Sequence, residues 1–321
     1  MSSVAEPPVL PATRRSIPWL RIFVVVFLVI LLIGSITTDG FYSVANARAI
    51  LNSAAIVGIL AVGATAIVVA GQLFSLSLGV TVAVCAMLFL SLLGYGMVPA
   101  ILGTLLFGFL IVGVQGYAVG RFGANPIIIT IAAGALLEGA VTWVSGGVSV
   151  YPSAEASSYA WLAAPLFGIP FPVFVFIAVV ILGELCLRGT VFGRQLYLMG
   201  GNPKAARAAA LPISRLSFGA FAVAGIAAGI AGILLGAFNQ SGTLTTTGTL
   251  TYDAIAAVLV GGSAVTGGRG SVLRSAGGAV LIAAIADMLL LRGFSPPIQM
   301  LVLGLVVACV VLLNQANRGG K

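Results

Sequence analysis

Long apolar runs follow one another along the whole chain, separated by short polar or glycine-rich connections. About 20 apolar residues in a row can cross the hydrocarbon core of a bilayer as one helix. The pattern therefore predicts an all-α polytopic membrane protein with ten transmembrane helices and no water-soluble domain. We interpret the first run as a retained helix rather than a cleaved signal peptide. The predicted spans are 19–36, 49–70, 78–94, 98–120, 126–145, 170–187, 216–237, 253–266, 275–291 and 297–314.

The composition agrees with a chain dissolved in lipid. Hydrophobic residues make up 60% of the 321 residues and charged residues only 7%, whereas soluble domains average about 25% charged residues. There is no histidine, and the three cysteines lie in apolar segments without the spacing of metal ligands. We therefore expect no catalytic site, no metal site and no bound cofactor.

The basic residues predict the orientation of the chain. We interpret the net charge of +8 as a topology signal and not as a nucleic-acid-binding surface, because Lys and Arg accumulate on the cytoplasmic side of membrane proteins. With the N-terminus in the cytoplasm, all of the 15 Lys and Arg residues except Arg48 and Arg292 fall on that side. This distribution predicts cytoplasmic tails at 1–18 and 316–321 around one transmembrane domain at 19–315.

Two segments place glycines and hydroxyl side chains where a hydrophobic helix would continue, Ala70–Gly79 and Val260–Ser271. Non-helical backbone is tolerated at membrane depth only where it is buried in protein or lines a water-filled cavity. Paired breaks in two halves of a chain are typical of a transporter's pathway. The alternative, that these segments are ordinary cytoplasmic turns, stays open, above all for the second.

The basic loop between the sixth and seventh spans contains the signals of a short helix. Asn202 is a good N-cap, Pro203 suits the first helical position, and Pro212 prevents the helix from continuing. Lys204 and Arg207 then share one face. A helix of about two turns is marginal in water by itself, so a partner must hold it. Lipid headgroups are one option, but the alanines on its other face favour a cytoplasmic protein.

The segment FGRQLYLMGGNPKAARAAALPIS, within this loop at about 188–215, resembles the cytoplasmic loop of ribose-type ABC importer permeases, in the branched-chain amino acid and monosaccharide permease family. YDAIAAVLVGGSAVTGGRGS and NPIIIT resemble two further segments of that family, and the resemblance extends over about 46–314. The matching loop positions are Thr190, Phe192, Gly193, Arg194, Tyr197, Gly200, Gly201, Asn202, Ala205, Ala206, Arg207 and Ile213.

The resemblance implies a permease subunit of a bacterial inner membrane that dimerises with an identical or paralogous copy. It also implies a cytoplasmic ABC ATPase subunit and an extracytoplasmic sugar-binding protein as partners. The chain has no G-x-x-x-x-G-K-[ST] phosphate-binding loop, so we expect ATP hydrolysis on the partner chain. The residues expected to couple to the ATPase are Arg194, Gly200, Gly201, Asn202, Pro203, Lys204 and Arg207.

A monosaccharide presents hydroxyls and no charge, so its passage should carry mainly hydroxyl and amide side chains. Two positions that are usually acidic in the family are Ser75 and Thr251 here. The polar run at 239–251 could also be an ordinary external loop, and Asp253 could simply cap the eighth helix. The candidate pathway residues are Gln72, Phe74, Ser75, Ser77, Thr130, Asn239, Gln240 and Asp253.

Acidic residues within the spans are costly in lipid and are therefore functional candidates. Glu184 precedes Arg188 by four residues, which indicates a structural ion pair. Glu138 and Asp287 lie deeper in their spans. They leave a second function open, that of a stand-alone ion-coupled secondary transporter or channel.

Overall fold

The computed structural model describes residues 41–152 and 159–316. The first predicted span at 19–36, the N-terminal tail at 1–18 and residues 317–321 lie outside the described residues. Within the described ranges the chain forms eleven α-helices and one short β-hairpin. The prediction of an all-α polytopic membrane protein is confirmed.

The helices occupy most of the described chain. They are α1 (Val44–Val69), α2 (Leu78–Leu92), α3 (Met97–Phe122), α4 (Pro126–Ser145), α5 (Phe171–Gly189), α6 (Val191–Gly201), α7 (Pro203–Ala208), α8 (Ile213–Asn239), α9 (Leu250–Val260), α10 (Val272–Leu291) and α11 (Pro296–Ala316). Strands β1 (Pro165–Leu166) and β2 (Ile169–Pro170) pair antiparallel between α4 and α5. Seven of the described helices are long and apolar enough to cross a membrane, namely α1 to α5, α8 and α10.

Of the predicted spans that fall within the described residues, all but the eighth coincide with apolar helices. The eighth overlaps a helix but was placed wrongly. It was predicted at 253–266, whereas α9 occupies Leu250–Val260 and the chain then turns through Gly262, whose φ is +77°. The 11 residues of α9 rise only about 16 Å. That is roughly half of the hydrocarbon core. Helix α9 therefore cannot cross the membrane by itself.

Helix α8 lies at the centre of the bundle and packs against α1, α2 and α3. Its glycines allow the backbones to approach closely, as small residues do between helices in lipid. A Cβ added to Gly225 would lie 2.0 Å from the carbonyl oxygen of Gly108 on α3. One added to Gly232 would lie 2.6 Å from the Cβ of Cys85 on α2. The small residues of α8 therefore serve packing within the chain.

The two ends of the bundle differ in charge. One end contains the β-hairpin, and we call it the hairpin end. There Arg48 Nε donates to the carbonyl oxygen of Gly168, between β1 and β2 (2.9 Å). Among the described residues, the predicted separation of charge is thus present in three dimensions. The other end, which we call the basic end, contains the end of α1 and the starts of α8 and α10. Its basic residues are Arg121, Arg188, Arg194, Lys204, Arg207, Arg215, Arg269 and Arg274.

Candidate functional site

The first interrupted segment is a genuine break between two helices. Residues 70–77 are non-helical, and Gly71 (φ +74°) and Leu73 (φ +54°) adopt left-handed backbone conformations. The segment then enters the bundle, where the Leu76 N–H donates to Thr130 Oγ1 of α4 (3.0 Å). The break is therefore buried in protein, which is the condition for non-helical backbone at membrane depth.

Polar side chains of the break attach it to α3 and α8. Ser75 and Ser77 are 2% and 0% exposed, and their hydroxyl oxygens lie 3.1 Å apart. Ser77 Oγ donates to Gln115 Oε1 of α3 (2.8 Å). Gln72 Nε2 donates to Ser217 Oγ in the first turns of α8 (3.1 Å). These bonds hold the break in place, and the two serines face other protein groups.

The N-termini of α2 and α9 meet inside the bundle. The Gly79 N–H in the first turn of α2 donates to Thr251 Oγ1 in the first turn of α9 (2.8 Å). A few residues later, α2 passes Gly232, well inside α8, where an added Cβ would lie 2.8 Å from the carbonyl oxygen of Val82. Because α8 crosses the whole bundle, the contact lies at membrane depth. Such discontinuous helices form the substrate sites of many transporters.

A cavity of about 510 Å³ lies beside this contact, between the break, α4 and α9. Its volume falls within the range of small-molecule sites, about 300–1,000 Å³. Thr130 and Glu138 of α4 and Thr251 and Tyr252 of α9 supply its polar side chains. Among the candidate pathway residues, Thr130 alone lines this cavity. Glu138 could be noticed as an acid within a span, whereas Tyr252 carries no signal in the sequence.

The other pathway candidates lie apart from this cavity. Asn239 ends α8, and Gln240 follows with a φ of +52°, both exposed at the hairpin end. Asp253 lines a separate cavity of about 270 Å³ between α9 and α11. It is not the N-cap, because Thr249 occupies that position. Phe74 packs, partly buried, against the main hydrophobic core.

The short helix predicted at the basic end is present as α7. Asn202 Oδ1 accepts from the Ala205 N–H (3.0 Å), and Pro203 occupies the first helical position, as the sequence indicated. The helix ends before Pro212 can stop it. It ends at Ala208, and Ala210 takes a left-handed conformation (φ +54°) that turns the chain toward α8.

Helix α7 projects from the basic end of the bundle. Lys204 and Arg207 are exposed, and within α7 only Ala206 is buried. Pro203, Arg207 and Gln72 line a cavity of about 200 Å³ between α7 and the first break. An exposed basic helix next to a break in the membrane helices is therefore available for binding to another protein.

Glycines from three segments meet at the basic end, and we call them the glycine junction: Gly71, Gly200, Gly201, Gly267 and Gly268. A Cβ added to Gly200 would lie 2.0 Å from the last carbonyl oxygen of α1, and one added to Gly268 would lie 2.4 Å from the Cα of Gly201. A Cβ added to Gly267 would lie 2.5 Å from the Cα of Gly71. Backbone therefore contacts backbone, with no space for a side chain at Gly200, Gly267 or Gly268.

Polar contacts join α5 and α6 to the segment before α10. Tyr197 Oη donates to the carbonyl oxygen of Gly270 (3.0 Å). Burial, and then the Glu184 carboxylate, raises the pKa of the Tyr197 phenol above its ordinary value, so the hydroxyl stays protonated. Glu184 Oε2 accepts from the Val272 N–H (2.9 Å) at the start of α10. Its predicted ion pair with Arg188 is confirmed.

The second interrupted segment connects α9 to α10 at the basic end. It turns through Gly267 (φ +86°) and Gly268 (φ +68°), and the Ala264 N–H donates to the carbonyl oxygen of Arg269 (2.9 Å). This segment is a tight turn within the glycine junction.

Comparisons with known proteins agree with this architecture. Residues 46–311 match the family model described as branched-chain amino acid transport system / permease component. The probable ABC transporter permease protein YphD of Escherichia coli is 31% identical over 90% of this chain and 87% of its own length. The ribose import permease protein RbsC of Haemophilus influenzae is 29% identical over 92% of both chains. The L-arabinose ABC transporter permease protein AraH of Azospirillum brasilense is 28% identical over 97% of this chain and 93% of its own.

These matches extend over most of the chain and include both the broken membrane helices and the basic loop with α6 and α7. They agree with the resemblance seen in the loop motifs. The chain therefore belongs to the family of branched-chain amino acid transport system permease components.

Proposed function

We propose that this chain is the transmembrane permease subunit of an ABC importer that moves a monosaccharide or related polyol into the cytoplasm. The observation that carries the proposal is an exposed basic helix, α7, joined by continuous packing to a polar cavity between broken helices. The relatives named for ribose import and L-arabinose transport support a monosaccharide as the substrate class.

The ATPase docks on α7 at the basic end, which is the cytoplasmic side by the positive-inside rule. Asn202 and Pro203 set the start of the helix, and Lys204 and Arg207 present its charges. Arg194 of α6 is also exposed and extends the basic surface. Gly200 and Gly201, which precede Asn202, contribute by packing against the Gly268 backbone beneath this surface. ATP hydrolysis belongs to the partner, because this chain has no phosphate-binding loop.

The cavity beside α4 is the substrate pathway within the membrane. The exposed carboxylate of Glu138 can hydrogen-bond to sugar hydroxyls, whereas Thr130 is fully buried and its hydroxyl already bonds to the Leu76 N–H and to the carbonyl oxygen of Ile127. A charged side chain facing lipid is costly, yet Glu138 is exposed in the single chain, as are Ile131, Leu136 and Trp143 on the same helix. A second permease copy, identical or paralogous, therefore covers α4 and closes the cavity. A sugar-binding protein delivers substrate at the hairpin end, outside the inner membrane.

Co-purification and transport test this function together. The protein is solubilised from its native membrane, its partners are identified by mass spectrometry, and the complex is reconstituted in liposomes with labelled ribose or L-arabinose. We expect an ABC ATPase to co-purify and ATP to drive uptake. Charge reversal by Lys204→Glu with Arg207→Glu should remove both, whereas the charge-retaining pair Lys204→Arg with Arg207→Lys should keep them.

Ion-coupled transport is the second candidate, because Glu138 lines the cavity. Asp287 of α10 does not line that cavity. If the chain purifies without an ATPase and a pH gradient drives uptake in the absence of ATP, the importer proposal is wrong. Loss of that uptake in Glu138→Gln would then identify the coupling residue.

A further inference from the structure

We infer that the glycine junction and the Tyr197–Gly270 hydrogen bond transmit the movement of α7 to both walls of the membrane cavity. The inference rests on the proposed function, because it concerns how ATPase binding at α7 is converted into transport. It assigns to Tyr197 and Gly200 a positioning role, distinct from that of the exposed residues that contact the ATPase.

The first link is a rigid connection between α7 and α6. Asn202 separates the two helices by a single residue, and it belongs to both of them. Its N–H donates to the carbonyl oxygen of Leu198 in α6 (3.1 Å), and its side chain accepts from Ala205 in α7 (3.0 Å). With no flexible linker between them, a displacement of α7 moves the end of α6.

The second link is direct backbone contact between the end of α6 and both interrupted segments. Gly200 occupies the space between the end of α1, the Gly71 backbone and the Gly268 N–H, each within 3.0 Å of its absent Cβ. The Gly268 N–H also donates to the carbonyl oxygen of Val69 at the end of α1 (2.9 Å). Close-packed backbone cannot yield as a flexible side chain can, so the three segments move as a unit.

The third link extends from the junction to the cavity by two routes. Along the first break, the chain runs from Gly71 to Leu76, which bonds to Thr130 at the cavity wall. By the second route, α9 connects the junction, which follows its C-terminal end, to Thr251 and Tyr252 in its first turn, at the opposite wall of the cavity. Both walls are thus attached to the same set of glycines. Tyr197 adds a polar bond from α6 to the segment that follows the junction.

Chain continuity offers a competing route, because α7 leads through Ala210 directly into α8. Helix α8 is packed tightly against α3 through Gly225 and Gly108 and does not line the cavity. Movement by that route would leave the junction as simple packing. The two routes make different predictions for variants that alter the junction and leave the surface of α7 intact.

The test uses the complete complex, containing permease, ATPase and binding protein, in liposomes. It measures co-purification of the ATPase, ATP hydrolysis, and ATP consumed per sugar imported. Tyr197→Phe removes one hydroxyl and should raise the ATP-to-sugar ratio about fivefold, the equivalent of one net hydrogen bond. Gly200→Ala should raise it further. Gly189→Ala is the matched control, because its Cβ would meet nothing within 4 Å.

Retained co-purification and ATP hydrolysis with a raised ratio in Tyr197→Phe supports the inference. An unchanged ratio in Tyr197→Phe overturns it, as does loss of the ATPase from that variant, which would indicate a docking defect. If Gly200→Ala does not assemble, the milder Tyr197→Phe decides the outcome. If the unmodified complex itself shows no ATP-driven uptake, the proposed function has failed and not the role of the junction.

Discussion

The bond between the starts of α2 and α9 allows a sharp test of the broken-helix site. The Gly79 N–H lies in the first turn of α2 and has no acceptor within its own helix. Ser77, the N-cap residue, does not satisfy it, because its side chain makes no capping hydrogen bond. Thr251 Oγ1 is its acceptor. Thr251→Val keeps the shape of this buried side chain and removes the oxygen.

The expected cost follows from the burial of the orphaned donor. Gly79 is buried and Thr251 is 9% exposed, so the Gly79 N–H does not readily find water in place of the Thr251 hydroxyl. A buried donor left without a partner costs about 1–3 kcal/mol, which corresponds to roughly a 5- to 150-fold change in an equilibrium constant. We expect the start of α2 to open that much more often in Thr251→Val than in the unmodified chain.

Amide hydrogen exchange measures this opening directly. In detergent, the peptide that contains Gly79 should exchange faster in Thr251→Val by that factor, and sugar uptake should fall. Thr251→Ser retains an acceptor oxygen at the same place and is the matched control. If the peptide exchanges at the same rate in Thr251→Val and Thr251→Ser, the Gly79–Thr251 bond does not hold the start of α2. The proposal that this bond joins the N-termini of α2 and α9 is then wrong.

Three further predictions concern packing, helix capping and the cavity. Gly225→Ala forces α8 away from Gly108 and should cost about 1–3 kcal/mol, seen as a lower melting temperature in detergent, whereas Gly139→Ala meets nothing within 4 Å and should melt normally. Glu184→Ala removes the carboxylate from the start of α10 and should cost about 1–2 kcal/mol by the same assay, with a smaller loss in Glu184→Gln. Glu138→Leu should abolish sugar uptake, while Glu138→Gln keeps a hydrogen-bonding group and should mainly raise KM; equal loss in both would mean that the charge itself is required.

Helix limits could be predicted where local signals were complete. The fifth span was predicted at 126–145 and α4 has those limits, because Asn125 caps its start, Pro126 follows, and Gly146 ends it in a left-handed conformation (φ +63°). Helix α6 was missed, although Thr190 caps it by accepting from the Gly193 N–H (3.1 Å). Its sequence, VFGRQLYLMGG, is too short and too polar for a membrane span, and so it was assigned to the loop.

The interpretation of the polar run at 239–251 shows where local reasoning stopped. It was considered both a pathway element and an external loop. In the structure, Gly242 pairs with Val150 through two backbone hydrogen bonds (2.8 and 3.0 Å), and the run continues to the buried start of α9 at Thr251. Apolar content alone could not indicate that a helix begins inside the bundle, because a half-length helix and a displaced full span have similar composition.

The sequence by itself determined the class of the protein, the asymmetry of its charge, the capped helix at the basic end and the family. All of these depend on composition or on residues within one or two turns of each other. Only the tertiary structure decided which polar residues share the cavity and which are buried as supports. Leu76 and Thr130 are 54 positions apart, and Gly79 and Thr251 are 172 apart. Contacts over such distances depend on how the helices pack, and no local pattern records them.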